Sequence, residues 1–243
     1  MPTLIDVFRF PPLTPTVKTI LIALFAIYVG EAILEGWVGI PVSTFLVLQP
    51  GVPSIATAWQ IVTHSLVLPP GPGAFFNLLL GLVFLWWFLA PFEERFGGTR
   101  VVQLCVASTL GAGIAAAAVG AAFGIGGYLA GPGTMSFAGL AAYFWTMKGR
   151  SISLFGMMNM RAEQAIWLFV GLSFLSFIYS KNVINLVGDL AAVGAGIGFV
   201  EWMRRPPKKA IFRKKKGAPK RRSGAPLRIV RDDEDPPDKR WLN

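Results

Sequence analysis

Gly131–Leu140 reads GPGTMSFAGL, and the fold turns on how these ten residues are read. They open an apolar stretch that runs to Lys148 and takes in Phe137, Tyr143, Phe144 and Trp145. Small residues at the start of a lipid-embedded helix let neighbouring backbones come close. The hydroxyls of Thr134 and Ser136 would then lie inside a bundle, where an unpaired polar group is costly. Two readings are open. One is a tightly packed central helix whose hydroxyls bond back to its own carbonyls. The other is a nucleophile buried in a membrane.

Working outward, the rest of the chain is equally apolar. Of 243 residues 53% are hydrophobic, and the mean hydropathy is +0.55. Such a composition does not fit a soluble globular domain of this length. Apolar runs near 20 residues predict an all-α, polytopic membrane protein with six spans. These are Val17–Gly36, Gly73–Pro91, Val101–Gly124, Gly131–Met147, Glu163–Tyr179 and Val183–Met203. Residues 1–16 form an interfacial segment, 17–203 the membrane domain and 204–243 a disordered tail, basic and then acidic. No basic region precedes a short apolar core at the start, so no cleavable signal is expected.

Between the first two spans, Trp37–Pro72 is long, proline-cut and free of Lys and Arg. It suits an interfacial or partly buried connector, with Trp37 and Trp59 at the boundary. Pro91–Arg100, PFEERFGGTR, reads as a charged turn. Glu31 and Glu35 are expected at headgroup level, solvated or hydrogen-bonded. Gly194 and Gly198 form a literal GxxxG, by itself a weak packing signal. The lone Cys105 cannot make an intrachain disulfide, and the lone His64 excludes a multi-histidine metal site. Neither a metal nor a cofactor is expected.

The net charge of +10 belongs to a tail. Arg204–Arg222 holds eleven Lys or Arg and no acid, and without it the chain is close to neutral. A basic strip directly after a span is expected to bind anionic lipid, with Lys214, Lys215 and Lys216 central to it. No folded domain or aromatic interleaving accompanies it, so nucleic acid is not an expected partner. The oligomeric state is left open.

Three further stretches carry a resemblance. TPTVKTILIALFAIYV (residues 14–29), AWQIVTHSLV (58–67) and NLLLGLVFLWWFLAPFEERFGGTR (77–100) follow one another in an order similar to the rhomboid family of intramembrane serine proteases. Asn77, Glu93, Glu94, Gly97 and Arg100 carry the most recognisable part. The resemblance covers roughly Pro15–Trp202. It implies a six-helix bundle with a long first loop, and a Ser-His dyad from the fourth and sixth helices.

The dyad itself is not matched. The family opens its second helix with His-xxx-Asn, where this chain has Gly73 and Asn77. Its Gly-x-Ser-Gly on the fourth helix falls on Thr134 and Met135, with Ser136 two residues beyond the nucleophile position. Its sixth-helix His falls on Asp189, and Ala191 and Ala192 stand for a paired glycine. No His occurs after His64. A hydroxyl is a weak nucleophile without an adjacent base.

The expected function is therefore that of a pseudoprotease, which binds transmembrane segments of client proteins in a groove lined by Gly73, Asn77, Thr134, Met135, Ser136 and Asp189. The alternative is an active or divergent intramembrane serine endopeptidase using Thr134 or Ser136, with Asp189 and Asn77. A transporter fits less well, because the spans hold few ionisable residues and no inverted repeat is visible. Asp189 is expected to be neutral or bonded to hydroxyls of the fourth helix such as Thr134, the alternative being an ordinary carboxylate in a water-filled vestibule.

Loop charges orient the bundle. Arg9, Lys18, Arg95, Arg100, Lys148, Arg150, Arg161 and the tail share one side, and Lys181 lies on the other. The positive-inside rule then predicts that both termini are cytoplasmic; the membrane is expected to be that of a bacterial or archaeal cell. Single cysteines introduced at Gly126, Ser153 and Ser223 test this. Impermeant thiol reagent added outside should label the first alone, and labelling of Gly126 and Ser223 from the same side would refute it.

Overall fold

The computed structural model describes residues 11–50, 58–154 and 158–205. The tail with Lys214, Lys215 and Lys216, and most of the 1–16 segment, lie outside these. The elements in chain order are α1 (Pro15–Ile33), a single π turn (Leu34–Val38), α2 (Val42–Leu46), α3 (Gln60–Thr63), α4 (Ala74–Phe96), α5 (Gly98–Phe123) and α6 (Gly133–Thr146). A β-hairpin follows, β1 (Ser151–Leu154) with β2 (Met158–Arg161), and then α7 (Ala162–Ser180) and α8 (Val183–Arg204).

Five stretches among the described residues are long and apolar enough to cross a membrane: Pro15–Val38, Ala74–Phe96, Gly98–Phe123, Ala162–Ser180 and Val183–Arg204. The sixth helix of the bundle, α6, has 14 residues. At 1.5 Å per residue it is about 21 Å long, short of a hydrocarbon core of about 30 Å. It is enclosed by protein instead. Ala138, Ala141 and Ala142 are wholly buried, and α4, α5, α7 and α8 all contact α6.

One boundary differs from the sequence reading. Pro91 lies within α4, which runs five residues past it to Phe96. A proline inside a helix removes one backbone bond, but tertiary contacts hold the turn beyond it. Phe92 is buried, and the Glu93 carboxylate accepts hydrogen bonds from Thr16 N (3.0 Å), Val17 N (2.9 Å) and the Thr14 hydroxyl (2.5 Å). These amides are the orphan donors at the start of α1, so a carboxylate from another helix caps it. Glu31, expected solvated or hydrogen-bonded, is buried and hydrogen-bonded: its Oε2 accepts from Leu68 N at 3.0 Å. Glu35 accepts from Ser43 N.

The long connector lies on the bundle. Leu48 and Leu129 exchange both backbone bonds (3.2 and 2.9 Å), and Gly131 N donates to His64 O at 2.8 Å. Val47, Leu48, Gln60, His64, Ser65 and Val67 are buried. Glycines of α5 make room for it: a Cβ on Gly113 would sit 2.5 Å from Ile61 O, and one on Gly120 2.4 Å from Pro50 Cβ. The two bonds to Leu129 and Gly131 fix the segment that leads into α6.

On α8 the packing seam is Gly188, Ala192 and Gly196, all buried and one helical turn apart. A Cβ on Gly196 would fall 2.4 Å from Ala138 O, so α6 and α8 meet backbone to backbone. The literal GxxxG points elsewhere. Neither Gly194 nor Gly198 has any atom within 4 Å of a Cβ position. Gly196→Ala should therefore destabilise the protein by about 1–3 kcal/mol through overpacking. Gly194→Ala should stay within about 0.5 kcal/mol. Unfolding in mixed detergent micelles measures both, and equal effects would contradict this packing.

Candidate functional site

Three helices start at the same end of the bundle, α4, α6 and α8, and α7 finishes there. A cavity of about 370 Å³ opens between them. The sequence provides its two textures. Phe84, Phe88, Phe169 and Leu172 form an apolar wall on α4 and α7, while Thr134, Ser136, Ser173 and Asp189 form a polar floor, with Asn77 and Ser176 exposed at the mouth.

The floor is buried and unevenly satisfied. Ser136 is 9% exposed, and its Oγ lies 3.2 Å from the O of Pro132, the N-cap of its own helix, and 3.3 Å from Gly81 O of α4. Thr134 is 2% exposed, and its Oγ1 has no hydrogen-bond partner. Asp189 is 5% exposed, and its Oδ2 accepts from Ser173 Oγ at 2.6 Å and weakly from Asn185 Nδ2 at 3.4 Å.

Four residues singled out from sequence, Asn77, Thr134, Ser136 and Asp189, line this one cavity. The other two do not. Met135 follows Thr134 by about 100° around the helix and faces an apolar groove that Leu24 of α1 and Cys105 of α5 also line. Gly73 precedes α4 in a left-handed turn (φ +82°), exposed and outside the lining. The partner expected for Asp189 also differs: its carboxylate is held by Ser173 of α7, and Thr134 of α6 makes no bond to it. Ser173 carried no signal of its own, being one of several serines in an apolar run. Asn185 was legible, since it lies four residues before Asp189 and so on the same helix face.

His64 does not line the cavity. It is fully buried, with Nδ1 3.1 Å from Gln60 O and Nε2 unpartnered. Burial lowers the pKa of its imidazole from the ordinary histidine value, which favours the neutral ring.

Fold and cavity together define an integral membrane protein built as a six-helix bundle with a polar site at one end. The chain belongs to the rhomboid family: the Rhomboid domain model matches residues 56–205, more than half its length. Among curated proteins nothing matches the chain.

The two floor hydroxyls should respond oppositely to removal. Thr134→Val replaces an unbonded hydroxyl by a methyl of the same shape and should be neutral or stabilising by up to about 1 kcal/mol. Ser173→Ala leaves Asp189 without its short bond and should cost about 1–3 kcal/mol. Reversible unfolding in micelles compares them, and a costly Thr134→Val beside a neutral Ser173→Ala would refute these assignments.

Proposed function

We propose that this rhomboid-family membrane protein is a pseudoprotease, which binds transmembrane segments of client proteins in the cavity between α4, α6, α7 and α8 and leaves them uncut. The observation that carries the reading is where the floor hydroxyls point. Acyl transfer needs a hydroxyl bonded to a base that can take its proton and later return it to the leaving amine. Ser136 faces only backbone carbonyls, Thr134 has no partner, and the one histidine is outside the cavity. The apolar wall supplies the surface that a transmembrane segment needs, and the polar floor can meet backbone groups of a segment that unwinds there.

One contact favours the second reading, a divergent serine endopeptidase. Ser173 donates to Asp189 at 2.6 Å, which is a nucleophile-to-base geometry. A carboxylate is a far weaker base than an imidazole, so it takes a hydroxyl proton much less readily near neutral pH. The loop charges support cytoplasmic termini, with the β-hairpin on the cytoplasmic side. The basic tail is read as a strip that attracts anionic lipid.

The test uses protein reconstituted in vesicles with a photoreactive probe at Leu172 on the cavity wall. A client transmembrane peptide should crosslink and be recovered at full length. Cleavage that disappears in Ser136→Ala, Thr134→Ala or Ser173→Ala would reject the pseudoprotease and establish the endopeptidase.

A further inference from the structure

The cavity floor has a surplus of acceptors. Ser173 gives its single proton to Asp189, and Ser136 faces only the carbonyls of Pro132 and Gly81, which can take its proton. Each hydroxyl then has lone pairs left and no proton. The bonds from Ser173 and Asn185 both end on Asp189 Oδ2, so Oδ1 is open to a further donor. Thr134 Oγ1 is buried without any partner. Among the cavity-lining residues Asp189 is the one ionisable side chain, so no Lys, Arg or His from the lining answers it. A buried carboxylate without a countercharge is expensive in a membrane protein.

A group that fits this floor carries several donors, no acceptor and positive charge. Ammonium and guanidinium meet that description, with three and five N–H donors. The wall suits them too. Phe84, Phe88 and Phe169 pack against one another with ring centroids 5.9–6.2 Å apart, and all three line the cavity. Aromatic faces attract a desolvated cation. Lysine and arginine bring such a head on a long apolar stem, which can run along the aromatic wall.

We propose that Asp189 is the specificity-determining residue of the cavity and selects client transmembrane segments that carry a basic side chain near the end of the bundle where α6 begins. The inference rests on the client-binding reading above and names the chemistry of the client. The lysine or arginine head sits between Asp189 Oδ1 and the hydroxyls of Thr134 and Ser136, and its stem lies along Phe84 and Phe169. No bond is made or broken.

The experiment uses the full-length protein in phosphatidylcholine vesicles. Two synthetic transmembrane peptides of the same Leu-Ala sequence carry one photoreactive residue and differ at a single position, Lys or Met, in the first two turns at the cavity end. Wild-type protein should capture the Lys peptide about tenfold more than the Met peptide, since close charge pairs at interfaces are worth at least that factor. In Asp189→Asn, which keeps the shape and removes the charge, the ratio should fall to within about twofold. Equal capture of the two peptides by the wild type overturns the inference and leaves client binding standing. Capture of neither overturns client binding and the inference together. A full tenfold preference retained in Asp189→Asn also overturns it, because the selectivity would then come from elsewhere.

Discussion

The structure depends on how closely α6 and α8 approach. Lipid tails are as apolar as leucine, so helices in a bilayer gain little by hiding apolar surface from each other, and contact itself must hold them. At Gly196 the absent side chain lets α8 rest on the Ala138 carbonyl. On another side of α6, a Cβ at Gly139 would come within 2.8 Å of Leu89 on α4. A helix of 14 residues, too short to span alone, is thereby held between full-length neighbours. The same approach sets Thr134 and Asp189 around one cavity. A larger residue at 196 would push α8 outward and open the floor before it changed any residue that lines it.

A second set of ties uses charge where water is scarce. Glu93 satisfies the first amides of α1, and Glu31 holds Leu68 of the connector. Each carboxylate faces backbone donors that would otherwise be unpaired at a helix start or in a buried loop. At the opposite end of α6, Trp145 Nε1 donates to Glu201 at 2.6 Å and Arg204 donates to Trp145 O at 3.0 Å, joining α6 to α8 where both are exposed. Such exposed contacts contribute little, because solvent screens them. The buried carboxylates therefore do more to position the connector, and through Gly131 they help set where α6 begins.

The spans were legible because apolar length is a direct consequence of bilayer thickness, and five of the six stand close to where the runs placed them. The failures share one cause, which is that neighbours decide what a local pattern cannot. Pro91 looked like a helix end, yet Phe92 is buried, Glu93 is bonded to the start of α1, and the helix continues. Gly194 and Gly198 matched a packing motif by spacing, but the buried face of α8 is set two residues away, at Gly188, Ala192 and Gly196. Asp189 was visible as an isolated carboxylate in a span. Its partner was not, because Ser173 reaches it from another helix and no spacing rule links the two. Met135 was assigned to the groove by its sequence neighbours, and helical rotation takes it to a different face.

What the floor costs bears on what it is for. The unbonded buried hydroxyl at Thr134 lowers stability by up to about 1 kcal/mol relative to an apolar side chain of the same shape, and a buried carboxylate at Asp189 without a countercharge adds its own desolvation cost. Valine at 134 and leucine at 189 would remove both penalties and fill part of a cavity of about 370 Å³. Packing alone would favour that solution, since voids and unpaired polar atoms are both rare in well-packed interiors. Strain kept in the folded state is a reason to look for a ligand that relieves it. A donor-rich group on the client segment proposed above would relieve it twice, by pairing the carboxylate and by bonding the hydroxyl. On the proposal made above, the free energy that the floor costs would be recovered when such a segment binds.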